Sequence, residues 1–409
     1  MKLSRSLRGS LATRRPWRRV VVLGSSIAVL LVAAACGSVT SKGGGGSSGG
    51  SGGSASASLS GITPSLLASL NAPAGATALP LNPGPPQTTP LTHERVRLMW
   101  GNDFSVPAGP IGDPKKTYTV CFSQGLVNNP WSTAQRESVM LEAARHPNLK
   151  MLYYNTNDPS QQVQDLQTCY NKHVDAILVW PSTTTLTPAI NKLCSSHAIV
   201  IGMERTVPTH CFTSWVYLDY PGAVTDVAEA MAKGIGYSGT VVESEGTPGS
   251  SPEILRHYYF VKVMQKYPKI HVVETNPTDF GETTGYNSAI TFLHSPQAKN
   301  VKAWYAHYEE EAIGIEAALK QVGRTNIPVY TIGGTKQSIC YVETGHFKYL
   351  EPGSATPLHG DMALRLAIMK IEGKSIPQYV LLASPTPITA ANAKQQYQVE
   401  GWGPGCSGA

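Results

Sequence analysis

From Lys115 onward the chain alternates short apolar runs with amphipathic stretches of helical period, and few folds accommodate that pattern. The spacing predicts strands at 118–123, 151–154, 176–180, 199–203 and 215–218, separated by helices at 132–145, 161–173 and 189–195. It restarts with helices at 223–233, 253–267, 284–294 and 310–321 and strands at 240–243, 271–275, 303–306 and 328–332. Apolar strands between amphipathic helices belong to parallel sheets covered on both faces. Roughly 295 residues of such units exceed one ordinary domain, so the expectation is α/β architecture with two doubly wound parallel-sheet domains.

In open sheets of this kind ligands bind beyond the carboxyl ends of the strands. The loops that fall there are rich in polar and aromatic groups: 123–131, 182–183, 204–205, 246–251, 279–280 and 308–309. They come from both halves of the chain, so two facing sheets would enclose a cleft between them.

The N-terminus has a different character. Lys2, Arg5, Arg8, Arg14, Arg15, Arg18 and Arg19 precede an apolar run from Val20 to Val32, which ends in Ala33-Ala34-Ala35-Cys36. A basic head, a short apolar core and small residues at the cut describe a secretory signal peptide over 1–35. A cysteine directly after the small residues resembles the lipobox of bacterial lipoproteins, which implies lipidation at Cys36 and anchorage to the cell membrane. The alternative is an unlipidated secreted protein, and on both readings the chain works outside the cytoplasm. The whole chain carries a formal charge of +6, and losing the seven basic leader residues brings the remainder to −1. The basic balance therefore belongs to the leader and gives no reason to expect a nucleic-acid partner. Residues 37–60 are nearly all Gly, Ser and Ala, a tether with an r.m.s. reach of roughly 25–30 Å. The Pro-rich stretch 72–114 is expected to be extended, with one short docked segment near Val96–Trp100, so 36–114 reads as lipidated Cys plus tether.

Residues 115–385 resemble the sugar-binding proteins of bacterial ABC importers, in the ribose-binding (type I periplasmic-binding) family. Asn128-Asn129-Pro130-Trp131 is similar to a family motif whose second Asn and aromatic touch the sugar. Glu204-Arg205 matches an acidic-Arg pair that binds ring hydroxyls. Arg256, four residues before Phe260, falls on an Arg-x-x-x-Phe pattern after the loop Gly246-Thr247-Pro248-Gly249-Ser250. Thr278-Asp279-Phe280 resembles the segment that supplies a second aromatic wall. His307-Tyr308-Glu309-Glu310 stands where the family has an amide-acid pair opening a helix. The resemblance implies three hinge crossings and lobes built from separated segments: 115–218 with 352–385, and 219–351 with 386–409. Three departures set the chain apart. Glu204 replaces the usual Asp, Tyr308 a common Asn, and Gly333 an Asp that takes two hydroxyls. They point to a different polyol, sugar or sugar-like ligand.

The residue types suit that chemistry by themselves. Sugar hydroxyls both donate and accept, so a site needs carboxylates and amides beside Arg as a fixed planar donor. The candidate set is Asn129, Trp131, Glu204, Arg205, Arg256, Phe280, Tyr308 and Glu309. Each has a plainer alternative: Asn129 as a helix cap, Trp131 and Phe280 as core, the arginines in ordinary salt bridges, Glu309 and Glu310 favouring a helix N-terminus.

Besides Cys36 there are six cysteines, and an even number outside the cytoplasm suggests disulfides. The family fold could place Cys169 and Cys194 side by side on consecutive helices and let Cys340–Cys406 pin the tail, leaving Cys121 with Cys211.

Catalytic and cofactor motifs are missing. Gly234-Ile235-Gly236-Tyr237-Ser238-Gly239 follows a helix and precedes a strand, the reverse of a dinucleotide site. G-x-S-x-G is matched within the Gly/Ser tract at 45–53, away from any strand-to-helix turn and so not as a nucleophile elbow, and there is no Walker A motif, H-E-x-x-H or calcium loop, so no enzyme, cofactor or metal is expected. The expected function is a monomeric solute receptor that delivers a sugar-like ligand to an ABC permease. The competing one is a sensory module that presents the same kind of ligand to a membrane receptor or kinase.

Overall fold

A computed structural model describes residues 58–79, 104–127, 129–196, 198–352, 359–382, 386–399, 402–403 and 405–406. The expected leader, Cys36, the Val96–Trp100 segment and Asn128 lie outside the described residues.

The first described elements are α1 (Pro64–Leu70) and β1 (Thr77–Leu79). There follow β2 (Tyr118–Gln124), α2 (Pro130–Ala143), β3 (Leu149–Asn155), α3 (Pro159–Asn171), β4 (Ala176–Trp180), α4 (Thr187–Ser195), β5 (Ile199–Met203) and β6 (Ser214–Leu218). The next group is α5 (Tyr220–Gly234), β7 (Gly239–Ser244), α6 (Ser251–Met264), β8 (Ile270–Glu274), α7 (Glu282–Leu293), β9 (Val301–Ala306), α8 (Glu309–Gln321) and β10 (Val329–Ile332). Last come α9 (Lys336–Glu343), β11 (Phe347–Glu351), α10 (His359–Ile371), β12 (Tyr379–Leu382) and α11 (Ala393–Val399).

Two parallel sheets result, ordered β1-β12-β6-β5-β4-β2-β3 and β11-β10-β9-β7-β8. Alternation along each strand covers both faces. In β4, Ala176, Leu178 and Trp180 join one apolar cluster, while Ile177 and Val179 join another under α3 and α4. In the second sheet Val242, Trp304 and Val329 face one cluster and Val241, Tyr305 and Tyr330 the other. The chain leaves the first lobe after β6 and returns as α10, which packs on α2. It reaches the second lobe again at Ile388, whose backbone exchanges both hydrogen bonds with Leu350 of β11.

Part of the expected tether is folded. Thr63 caps α1 by accepting from the Leu66 amide at 3.1 Å, and Pro64 opens the helix. Leu70 is buried, and β1 extends the first sheet in register with Val380–Leu382. Val106 and Ile111 are buried as well, so the globular body begins before Lys115.

The disulfides correct two of the three expected pairs. Cys340–Cys406 forms, but Cys121 pairs with Cys169 and Cys194 with Cys211. Cys121 lies on the face of β2 that α3 covers, and Cys169 is on the sheet-facing side of α3, so strand and helix meet. Cys194, in the last turn of α4, instead meets the loop leading into β6.

Among the described residues no helix is long and apolar enough to cross a membrane.

Candidate functional site

The strand ends of both sheets converge on one cavity. Leu126, Asn129, Trp131, Trp180, Glu204 and Arg205 line it from the first lobe; Pro252, Arg256, Phe280 and Tyr308 line it from the second. Its free volume is about 30 Å³, room for a water or two, so the lobes stand closed.

On the first lobe Asn129 caps α2. Its Oδ1 accepts from the Ser132 amide at 2.8 Å, and Pro130 fills the first helical position. The cap sets the direction of α2 and with it Trp131, so the capping role and the cavity position coexist. Glu204 follows β5 in a left-handed conformation, φ 52°, a geometry a non-glycine residue adopts only when its surroundings enforce it. Its carboxylate accepts from the Trp180 indole and the Tyr220 hydroxyl, and the Arg205 Nε lies 3.8 Å away. Burial pushes the Glu204 carboxyl up, against the pull of Arg205 and Arg256. Burial likewise brings Arg205 down to about 10, with Glu204 opposing the shift. The Arg205 guanidinium donates to the Ser182 carbonyl at 3.0 Å and lies 5.0 Å from the Trp180 ring centroid.

On the second lobe Arg256 projects from α6 and donates to the carbonyl of His307. It lies 5.2 Å from the Tyr220 ring and 5.5 Å from that of Phe280. Asp279 and Phe280 both take positive φ, 52° and 58°, which turns the Phe280 ring onto Gly246. A Cβ at Gly246 would overlap that ring. Tyr308 packs edge-on to Phe280 at 6.2 Å. Four buried polar atoms at the cavity make no hydrogen bond within the protein: Trp131 Nε1, Arg205 Nε (which has only the longer ion pair to Glu204), Arg256 Nε and the Tyr308 hydroxyl. Buried polar groups ordinarily find partners, so these are the donors available to a polar guest.

Glu309 is the candidate residue that the structure places elsewhere. Its Oε2 accepts from the amides of Gly334 and Thr335 at 2.8 and 2.9 Å, and a Cβ at Gly333 would run into its carboxylate. It braces the loop after β10 and does not line the cavity.

Sequence reasoning gave Trp180 too weak a claim to enter the candidate set and did not single out Tyr220, Leu126 or Pro252. Trp180 carried a signal, since it ends a strand on the binding side of the sheet. Tyr220 sits in an ordinary helix opening, Asp219-Tyr220-Pro221, and no motif marks it.

Behind the cavity, Glu243, Glu245, Glu274 and His257 bring their ligating atoms within 4.8 Å of one another. His257 Nδ1 lies 3.2 Å from Glu243 and 3.0 Å from Glu245. Burial would lower its pKa, yet hydrogen bonds to those two carboxylates lift it to about 11.

Two doubly wound lobes closed over a cavity lined from both sides define a two-lobe binding protein. Residues 120–375, more than half of the chain, match the model of the periplasmic binding protein domain family. The chain belongs to that family. It is 28% identical over 247 residues to the xylitol-binding protein of Mycolicibacterium smegmatis, covering 59% of this chain and 70% of that one. It is 24% identical over 230 residues to the ribose import binding protein RbsB of Bacillus subtilis, covering 56% and 74%. A solute-binding protein of an ABC transporter from Bacillus halodurans C-125, solved with bound myo-inositol, superposes with a TM-score of 0.65 at 19% identity, covering 70% and 99%. The fold is thus the type I periplasmic-binding fold, and the relatives are solute-binding proteins rather than enzymes.

Proposed function

We propose that this protein is an extracytoplasmic solute-binding lipoprotein that captures a sugar or sugar-like polyol between its lobes and delivers it to an ABC import permease. The observation that carries this reading is one cavity fed by both lobes, holding a carboxylate, two guanidinium groups and several aromatic rings. Glu204 would accept from hydroxyls, and Arg205 and Arg256 would donate to them. The cap engages the Asn129 carboxamide oxygen and leaves its amide nitrogen to donate. Trp131, Phe280 and Tyr308 would lie against the apolar C–H faces. A free volume of about 30 Å³ requires the lobes to part before a ligand enters and to close over it afterwards. Occupancy is then reported as shape, the property a permease reads. Import rather than sensing is favoured by the relatives, since a ribose import protein and a xylitol-binding protein match over most of their own lengths. The leader and Cys36 supply the route out of the cytoplasm and the anchor.

Calorimetry and thermal unfolding of the mature chain with xylitol, D-ribose, other pentoses and pentitols, hexoses and sugar acids test the reading. A true ligand at 100 times its dissociation constant adds about 2.7 kcal/mol of stability. A folded protein that responds to no polyhydroxyl compound in the panel would refute it.

A further inference from the structure

Trp402 belongs to the second lobe by its backbone and reaches the first lobe with its side chain. Trp402 pairs with Thr335 as a parallel bridge. Its amide donates to the Gly334 carbonyl at 3.3 Å, and its carbonyl accepts from the Lys336 amide at 2.8 Å. Four residues on, Cys406 is bonded to Cys340 of α9. Glu309 braces the same loop from beneath through the amides of Gly334 and Thr335. Two backbone hydrogen bonds and the disulfide four residues on thereby tie Trp402 to the second lobe.

Its indole is not part of that lobe's core. It is 2% exposed and joins the apolar cluster that runs from Phe122, Leu178 and Met362 of the first lobe to Phe280 and Tyr308 of the second. Its ring centroid lies 5.8 Å from that of Trp131, nearly edge-on at 77°. Trp131 is held on a further side by His359 of α10, also at 5.8 Å. Parting the lobes pulls Trp402 away from Trp131, because the one is carried by the 334–340 region and the other by the start of α2.

We infer that Trp402 is a positioning residue and the tail a clasp: it fixes the Trp131 ring at the cavity wall and favours the closed arrangement of the lobes. Its effect on affinity rests on the binding reading above, whereas the clasp itself can be tested without any ligand. Aromatic pairs of this geometry shift an equilibrium by about two- to tenfold beyond the area they bury.

The test is hydrogen exchange on the full mature chain, free of ligand, comparing wild type with Trp402→Ala, Trp402→Phe and the double variant Cys340→Ala/Cys406→Ala. Exchange at 130–138, on the opposite lobe, should rise about two- to tenfold in Trp402→Ala, and scattering should show a larger radius of gyration. Trp402→Phe should restore most of the protection. The cysteine variant keeps the indole but frees the tail, and should reproduce the rise. Faster exchange confined to 334–343, or no change on either lobe, would overturn the clasp and leave the sugar-binding reading intact. Should Trp402→Ala fail to fold, the cysteine variant decides by the same readout.

Discussion

Arg205 of the first lobe and Phe280 of the second meet across the cleft, the guanidinium 5.3 Å from the ring centroid. The same ring also takes Arg256 at 5.5 Å. One phenyl group thus packs against both arginines of the cavity, and one of these contacts exists only while the lobes are together. Cation–π contacts contribute from about 0.5 to 2 kcal/mol as they lose solvent, so this one adds to the preference for closure.

Glu204 and Arg256 face each other from opposite lobes, and each should matter to affinity. Losing Arg256 would leave ligand oxygens without a donor, and losing Glu204 would leave ligand hydroxyl protons without an acceptor, in a closed cavity. Hydrogen bonds to charged groups contribute roughly 1.5–3 kcal/mol, so Glu204→Ala and Arg256→Ala should each weaken binding about 10- to 150-fold. Calorimetry with whichever compound the panel identifies measures this. Wild-type affinity in both variants would remove the cavity from consideration as the binding site.

Gly246 is the seat of the Phe280 ring. A Cβ there overlaps the ring, and crowding of this kind costs about 1–3 kcal/mol. Gly246→Ala should displace Phe280, weaken binding about tenfold and leave the overall fold intact. Near-ultraviolet circular dichroism monitors the packing and titration the affinity.

The disulfides should appear as Cys121–Cys169, Cys194–Cys211 and Cys340–Cys406 in non-reducing peptide mapping. Cys194–Cys211 spans a sequence separation of 17, and a loop of that size contributes about 3 kcal/mol. Cys194→Ala/Cys211→Ala should lower the unfolding midpoint without moving the cavity residues. A map linking Cys169 to Cys194 would contradict the arrangement of α3 over β2.

Periodicity made the sheets legible, since each strand from β2 to β10 reads as an apolar run. The Asn129-Pro130 cap was legible because local chemistry marks it, and the Glu204-Arg205 pair because it follows a strand end and resembles a family pair. Other features depend on which face a residue occupies. Cys121 and Cys169 meet through the facing of one strand and one helix, which spacing does not encode. The helix α10 was missed because Asp361 and Arg365 interrupt its apolar pattern, although they pair with each other and are buried. The helix α1 was hidden by its Pro- and Gly-rich neighbours. Glu309 sits beside a cavity residue in sequence, yet the start of α8 turns its side chain toward the loop after β10. Trp402 shows no period at all, and only the tail's attachment to the second lobe carries it to Trp131.

Cys36 should be the mature N-terminus and carry the lipid. Cys36→Ala should move the protein from the membrane fraction to the medium or soluble fraction. An unmodified N-terminal peptide mass together with unchanged fractionation would reject the anchor.

Stability should fall as pH rises from about 5.5 to 8.5. Burial, the leading cause in each case, pushes the carboxyls of Glu243, Glu310, Glu311 and Asp361 up to about 8 and that of Glu253 to about 7. In the unfolded chain these groups lose their protons near pH 4. Between about 5 and 8 the folded state therefore binds more protons than the unfolded state, and the slope of stability against pH is negative. His307 opposes them, because burial holds it neutral and costs stability below the pH at which an unfolded histidine takes up a proton. Five carboxyls outweigh that single group. Thermal unfolding across the range should give its highest midpoint on the acid side. Glu310→Gln, which removes one of the raised carboxyls, should flatten the profile. A midpoint that climbs toward pH 8.5 would mean that these carboxyls are ionised and solvated in the folded protein.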